Sequence, residues 1–158
     1  MARLAVETVF GALEFTEEDE EITSLAWLGR RGERDGGNPS QSSPLLEEAS
    51  RQLRAYADGQ LTTFDLPLRP KGGPLQQDVM REMRAIPFGE TRSYGDIAKK
   101  LGVAAQPIGQ ACGANPIPVI IPCHRVTGSH GIGGFSGMGG VEMKVTLLRH
   151  EGAYGLLI

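Results

Sequence analysis

The sequence is poor in cysteine, in aromatic residues and in long apolar runs, and each shortage excludes something. Two cysteines among 158 residues, Cys112 and Cys123, cannot build a disulfide framework or a four-cysteine zinc site. No Cys or His precedes Cys112. No metal site and no cofactor are expected. No apolar run approaches the roughly 20 residues of a membrane span, so no membrane association is expected. The segment MARLAVETVFGALEF lacks a sustained apolar core followed by a small-residue cleavage site, so no signal peptide is expected. A reducing, cytoplasmic setting fits this cysteine usage. Aromatics make up 6%, and the single Trp27 reads as a core or β-surface anchor.

What is present is a globular composition, 40% hydrophobic and 22% charged, which excludes a wholly disordered chain. A chain of this length makes one ordinary domain, or a domain with a small annex, and buries roughly 70% of its unfolded surface. The net charge of -3 hides an asymmetry. Residues 1–68 carry 6 Lys and Arg against 13 Asp and Glu; residues 69–158 carry 10 against 6. Either the second part meets a polyanion or surface charge has segregated by chance.

Read in order, residues 3–28 form a β-meander pattern: LAVETVF and ALEF flank Gly11, and ITSLAWL follows the acidic turn EEDEE. Arg30–Ser43 is a polar loop rich in Gly, Pro and Ser. Leu45–Asp58 has helical spacing, with Gly59 as its stop. LTTFDLPL reads as a last strand, and RPKGGP as the linker between domains 1–70 and 71–158. Leu75, Val79, Met83 and Ile86 mark one face of a helix. Ser93 caps the next helix, with Asp96 three residues on, and Gly102 ends it. A short helix follows, with Pro107 suited to its first position. These two helices read as a helix-turn-helix, either a DNA-binding unit or a packing motif. Arg92, Lys99 and Lys100 flank the first of them and can meet phosphates or remain solvated. NPIPVIIPCHRV is an extended apolar segment, GSHGIGGFSGMGG a glycine-rich loop and VEMKVTLLRHEG a final helix. The fold class is therefore α+β: a small N-terminal α/β domain with antiparallel strands, then a mainly helical domain.

Chemistry concentrates at Pro122-Cys123-His124-Arg125-Val126. Cysteine attacks as the thiolate, and an unassisted thiol is only a few per cent ionised at neutral pH, so it needs a base. His124 is adjacent, but in an extended segment adjacent side chains point to opposite faces, so it must reach Cys123 through a bend or a water. Glu151 is a carboxylate that can orient the imidazole. The alternative is a structural cysteine beside a surface histidine. Cys112 reads as a small core residue. His130 has no assigned partner, and His150 reads as support for a helix end. The glycine-rich loop is no phosphate loop: G-x-G-x-x-G needs glycine at Ser136, and no Gly-Lys-Ser/Thr follows. It is either a lid over a pocket or an ordinary loop.

NPIPVIIPCHRV, then GGFSG, then LLRHEG, with IPFGETRSYGDIA and a helix-turn-helix upstream, resembles the O6-alkylguanine-DNA alkyltransferases over residues 75–152. The resemblance implies a protein that binds double-stranded DNA, flips O6-alkylguanine out of the stack and moves the alkyl group irreversibly to its own cysteine. O4-alkylthymine is left open as a second substrate. It implies Cys123 as acceptor, His124 as base through a water, Glu151 as its orienter and Asn115 as brace of the active-site turn. Tyr94 would sit by the target nucleotide's phosphate. Phe135, Ser136, Gly137, Val126, Lys144 and Pro118 would form the base and alkyl pocket. Arg92, Gln106, Ala105, Gly109 and Arg125 would join Tyr94 at the DNA, with the helix-turn-helix in the minor groove.

Two departures stand out. The family's usual arginine finger falls at Gln106, which has length and donors but no fixed charge or guanidinium plane. The N-terminal zinc of some relatives has no Cys or His ligands here. Competing readings are a non-enzymatic alkyltransferase-like lesion binder, a cysteine hydrolase and a thiol-sensing transcription factor. The lesion binders lack the acceptor cysteine; the hydrolase needs an oxyanion site and leaves the helix-turn-helix idle; the sensor favours a two-fold dimer. A monomer is expected, since no heptad or long apolar edge is visible.

Overall fold

The computed structural model describes residues 1–29, 42–128, 131–134 and 140–154. The polypeptide divides into two units, Met1–Pro70 and Lys71–Ile158, of an α+β fold. Most of the loop expected at Arg30–Ser43 lies outside the described residues.

In the first unit, β1 (Ala2–Thr8), β2 (Gly11–Glu18) and β3 (Glu21–Trp27) form an antiparallel meander in that order. Alternation puts one face inward: Val6 pairs with Leu13 and Phe15 with Leu25, all four buried. Asp19 and Glu20 make the β2–β3 turn with φ of 52° and 64°, the left-handed pair whose twist matches that of the strands. Helix α1 (Pro44–Ala57) covers β1 and β2 with Leu46, Ala49, Leu53 and Tyr56. Ser43 caps it: its Oγ accepts the Leu46 N–H at 3.1 Å and donates to Glu17. Pro44 starts the helix where a missing N–H costs nothing. The Trp27 indole N–H donates to the Phe10 carbonyl at 2.9 Å, anchoring the sheet surface.

LTTFDLPL is not a strand. Only Leu68 forms a bridge, parallel to Ile22. Pro67 has no N–H to donate, and Gln52 takes the place of a neighbouring strand. Its amide accepts the Asp65 N–H at 2.9 Å and donates to the Asp65 carbonyl at 3.0 Å.

The second unit begins with α2 (Pro74–Arg84), which buries Val79, Met80 and Met83, with Ile86 just beyond; Leu75 stays partly exposed. The short strand β4 (Arg92–Ser93) leads into α3 (Tyr94–Leu101) and α4 (Ala105–Gly113), the helix-turn-helix. Ser93 and Asp96 form a reciprocal capping box, each bond 3.0 Å, a feature worth about 1 kcal/mol. Gly102, at φ 71°, ends α3 in the left-handed region. Helix α4 starts earlier than its sequence suggests: Pro107 is its third residue, not its first. It is tolerated because N–H groups of the first turn have no intrahelical acceptor. Strand β5 (Val126–Thr127) pairs in parallel with β4, and α5 (Val141–His150) closes the unit with Leu147 and Leu148 buried.

Candidate active site

The segment expected to be extended, Asn115–Val126, is instead a series of turns. Pro116, Pro118 and Pro122 cannot donate to a ladder, so the remaining N–H groups find local acceptors. Asn115 Oδ1 accepts the Ile117 N–H at 3.0 Å, and the Ile121 N–H reaches the Ile117 carbonyl at 2.9 Å. Buried Val119 sits at φ 73°, a conformation costing of order 1–3 kcal/mol for a β-branched residue. Pro122, at φ -81° and ψ 70°, centres an inverse γ-turn closed by the Cys123 N–H on the Ile121 carbonyl at 2.8 Å. Cys123–Arg125 then form one 3-10 turn. Cys123 and His124 therefore share a turn rather than opposite faces of a strand.

Around this turn the structure gathers three buried charged or chargeable groups. His124 Nε2 lies 2.7 Å from Glu151 Oε2. Arg125 donates from Nε to Glu151 Oε1 at 2.8 Å, from one terminal nitrogen to Oε2 at 3.0 Å and from the other to the Ile86 carbonyl at 2.7 Å. Arg125 is thus not at the DNA face, where the resemblance put it. It is 7% exposed, and all its guanidinium nitrogens are engaged inside the protein. Burial alone would raise the Glu151 carboxyl, but the bonds and charges of His124 and Arg125 hold it down at about 2. Burial pushes His124 below the ordinary imidazole value, against the pull of Glu151, so the ring is neutral at pH 7.

A neutral ring bonded through Nε2 to a carboxylate carries its proton on Nε2. Nδ1 is then a bare lone pair, and no described residue bonds to it although it is buried. Burial also pushes the Cys123 thiol up, countered in part by a hydrogen bond from Asn115, by Lys144 and by the amides of Cys123 and His124. The resting site holds a thiol next to a base, not a preformed thiolate.

A second cluster forms on the other side of Val126. Lys144 is fully buried on α5, and its Nζ donates to the carbonyls of Val126 at 2.6 Å and Gly134 at 3.0 Å and to the Tyr94 hydroxyl at 3.4 Å. Burial lowers its ammonium to about 8. Tyr94 also donates to the Gly134 carbonyl at 3.4 Å, and Gly133 packs beneath its ring. A Cβ at Gly133 would stand 2.8 Å from Tyr94 Cε2. Tyr94, Val126, Lys144 and the stem of the glycine-rich loop are thereby joined. Phe135, Ser136, Gly137 and His130 lie outside the described residues.

Asn115 joins the cysteine turn, and Pro118 is half-buried within it. Arg92 is half-buried on β4, paired with Val126. Ala105 and Gln106 are exposed at the start of α4, away from these bonds, and Gly109 has open space above its Cα. Lys100 is engaged by Glu82 at 3.0 Å. Cys112 is buried as expected of a core residue, but close enough to Cys123 for their charges to oppose each other, and burial pushes its thiol to about 12. Sequence reasoning missed the inward use of Arg125 and the close approach of Gly133 to Tyr94. The signal for Arg125 was its place at the end of an apolar run, IIPCHRV.

The chain resembles known proteins along its whole length. Two family models match: 6-O-methylguanine DNA methyltransferase, ribonuclease-like domain, over residues 3–70, and 6-O-methylguanine DNA methyltransferase, DNA binding domain, over residues 74–153. The constitutive methylated-DNA–protein-cysteine methyltransferase of Bacillus subtilis is 39% identical over 153 residues, covering 92% of each chain. That of Methanosarcina acetivorans is 43% identical over 116 residues, covering 72% of this chain and 73% of its own. Among solved structures, Mycobacterium tuberculosis OGT in complex with DNA superposes with a TM-score of 0.85 at 37% identity, covering 96% of this chain and 93% of that one.

Proposed function

The chain belongs to the 6-O-methylguanine DNA methyltransferase family, and from that premise we propose that Cys123 is the acceptor and the His124–Glu151 pair its base. The protein is a methylated-DNA–protein-cysteine methyltransferase that repairs DNA by direct reversal. The observation that carries the residue assignment is a fully buried His124 held by Glu151 at Nε2, with no described partner at Nδ1, one residue from a buried thiol.

In this reading the substrate is O6-alkylguanine in duplex DNA. A thiol in a buried turn cannot reach a stacked base, so the nucleotide must rotate out. The Cys123 S–H proton passes to His124 Nδ1, and a water can carry it. Sulfur attacks the alkyl carbon in line; the S–C bond forms as the O6–C bond breaks. The electron pair stays on guanine, which takes up one proton, replacing in the balance the one given up by the thiol, and remains in the DNA as an ordinary guanine. Glu151 stabilises the imidazolium formed on the way. The S-alkyl thioether resists water, so each molecule acts once.

Tyr94, the first residue of α3, meets the rotating nucleotide, and the Val126 carbonyl receives the guanine amino group. Pro118 and Lys144 line the pocket, and Phe135, Ser136 and Gly137, outside the described residues, are the candidates for contact with the base. Helices α3 and α4, with Arg92, Ala105, Gln106 and Gly109, form the DNA surface, and exposed Gln106 fills the space the base leaves. The protein acts as a monomer in a reducing, cytoplasmic setting, where two free thiols persist. No described helix is long and apolar enough to cross a membrane.

Intact mass after mixing with a duplex carrying one O6-methylguanine tests this. The expected result is a gain of about 14 Da, one methylene, on the peptide containing Cys123 and absent in Cys123→Ser. Binding without a mass gain would overturn the acceptor assignment.

A further inference from the structure

The buried guanidinium of Arg125 has no place in the alkyl-transfer steps above, yet each of its three nitrogens is bonded inside the protein. Three of its N–H bonds end on Glu151 and Ile86, all at 3.0 Å or less. Glu151 in turn gives both carboxylate oxygens to Arg125 and one of them to His124. We propose that Arg125 is a positioning residue for alkyl transfer, whose guanidinium neutralises and orients Glu151 so that His124 stands as a neutral imidazole.

The argument is one of charge in a dry site. His124 is fully buried, and the groups that face it are Glu151, Arg125, Lys144 and its neighbour Cys123. A buried carboxylate without a counter-charge is strongly disfavoured and draws a proton into the cluster. The nearest basic group is the His124 ring, whose Nε2 lies 2.7 Å from Glu151 and whose Nδ1 is free to take a second proton. With Glu151 uncompensated, the second proton on Nδ1 is favoured, and an imidazolium cannot accept the thiol proton. Arg125 supplies the compensating charge from the far side, so Glu151 can accept the Nε2–H without forcing protonation of the ring. The bidentate fork also fixes the carboxylate plane, and hence the ring. Lysine would supply the charge but not the fork.

This rests on the proposed role of His124 as base, and the tests separate the two. The first is the pH profile of single-turnover alkyl transfer for wild type, Arg125→Lys and Arg125→Met. In wild type the acid limb should lie below the ordinary imidazole value of about 6.5. In Arg125→Met it should move up by about one pH unit or more, with the rate near pH 7 reduced by about 2–4-fold and recovering at higher pH. Arg125→Lys should return most of the limb while remaining slower. A folded Arg125→Met protein with an unmoved acid limb would overturn the proposal. The second test needs neither a variant nor activity: the 15N shifts of His124 in the wild-type protein. A neutral ring protonated on Nε2 at pH 7 is expected, and an imidazolium at pH 7 overturns the inference. Absence of alkyl transfer in the wild type would overturn the proposed function and this role with it, whereas transfer in the wild type with an unmoved limb in Arg125→Met overturns the role of Arg125 alone.

Discussion

Asn115 and Cys123 meet at one oxygen. The Asn115 side-chain amide donates to the Ile121 carbonyl at 2.7 Å, and the Cys123 backbone N–H donates to the same carbonyl at 2.8 Å. The end of α4 is thereby tied to the turn that carries the thiol. Asn115 also accepts the Ile117 N–H and favours the ionised form of Cys123. Asn115→Ala should lower stability by about 1–3 kcal/mol, the cost of leaving buried polar groups unmet. The single-turnover rate should fall at least roughly tenfold through loss of positioning. Denaturant unfolding beside rapid-quench transfer measures both; a normal rate would remove Asn115 from the site.

Gly133 is a second sensitive point. Its φ of 82° and its contact with Tyr94 leave no room for a methyl group. The neighbour is a ring packed against Lys144, whose Nζ lies 5.5 Å from the ring centroid, so it cannot simply swing aside. Gly133→Ala should slow transfer about tenfold or more while costing about 1–3 kcal/mol of stability. The same rate in Gly133→Ala and wild type would show that the Tyr94–Gly133 contact is idle in the reaction.

The buried triad makes stability depend on acid. His124 is depressed in the folded state, so the unfolded chain binds its proton first as pH falls through the ordinary imidazole value of about 6.5. Stability contributed by the neutral ring is present above that value and is lost as pH falls toward the folded one. Glu151 acts in the same direction lower down, from its ordinary 4.5 toward about 2. Thermal melts from pH 8 to pH 4 should show a falling Tm beginning near pH 6.5. His124→Asn should flatten the upper part of that fall, and an equal fall in the variant would assign it to other groups.

Gln106 is exposed on the first turn of α4, a helix whose N-cap, Ala104, offers no side-chain bond. An arginine there could stack its guanidinium on the bases around an extruded nucleotide. Gln106→Arg should tighten binding to lesion duplex by about 2–5-fold, the range of an exposed cation–π contact. Fluorescence anisotropy with a labelled duplex, alongside the transfer rate, would detect it; no gain in either would mean that Gln106 already serves fully.

Legibility in the sequence followed the range of the interactions. The α3 boundaries could be read because Ser93, Asp96 and Gly102 act within one turn of themselves. The meander could be read because alternation is local. LTTFDLPL was misread because the partner of its backbone is a side chain, Gln52, thirteen residues away from Asp65. Arg125 was misread because an arginine beside a DNA-binding motif suggests a phosphate, whereas its acceptors are Glu151 and Ile86, 26 and 39 residues distant.

By itself the sequence determined the chemistry available: one thiol followed by an imidazole, a carboxylate at the end of the last helix, a capped helix-turn-helix, and the family to which these belong. Only the tertiary structure decided how that chemistry is poised. The extended reading of Asn115–Val126 set Cys123 and His124 on opposite faces of a strand; the proline turns instead put them in a single 3-10 turn. Arg125 became an internal counter-charge, and Lys144 the link between Val126, Tyr94 and the loop stem. The reason is physical. Residue identity sets what a group can donate or accept, but its protonation state depends on burial and on charges brought close by the fold.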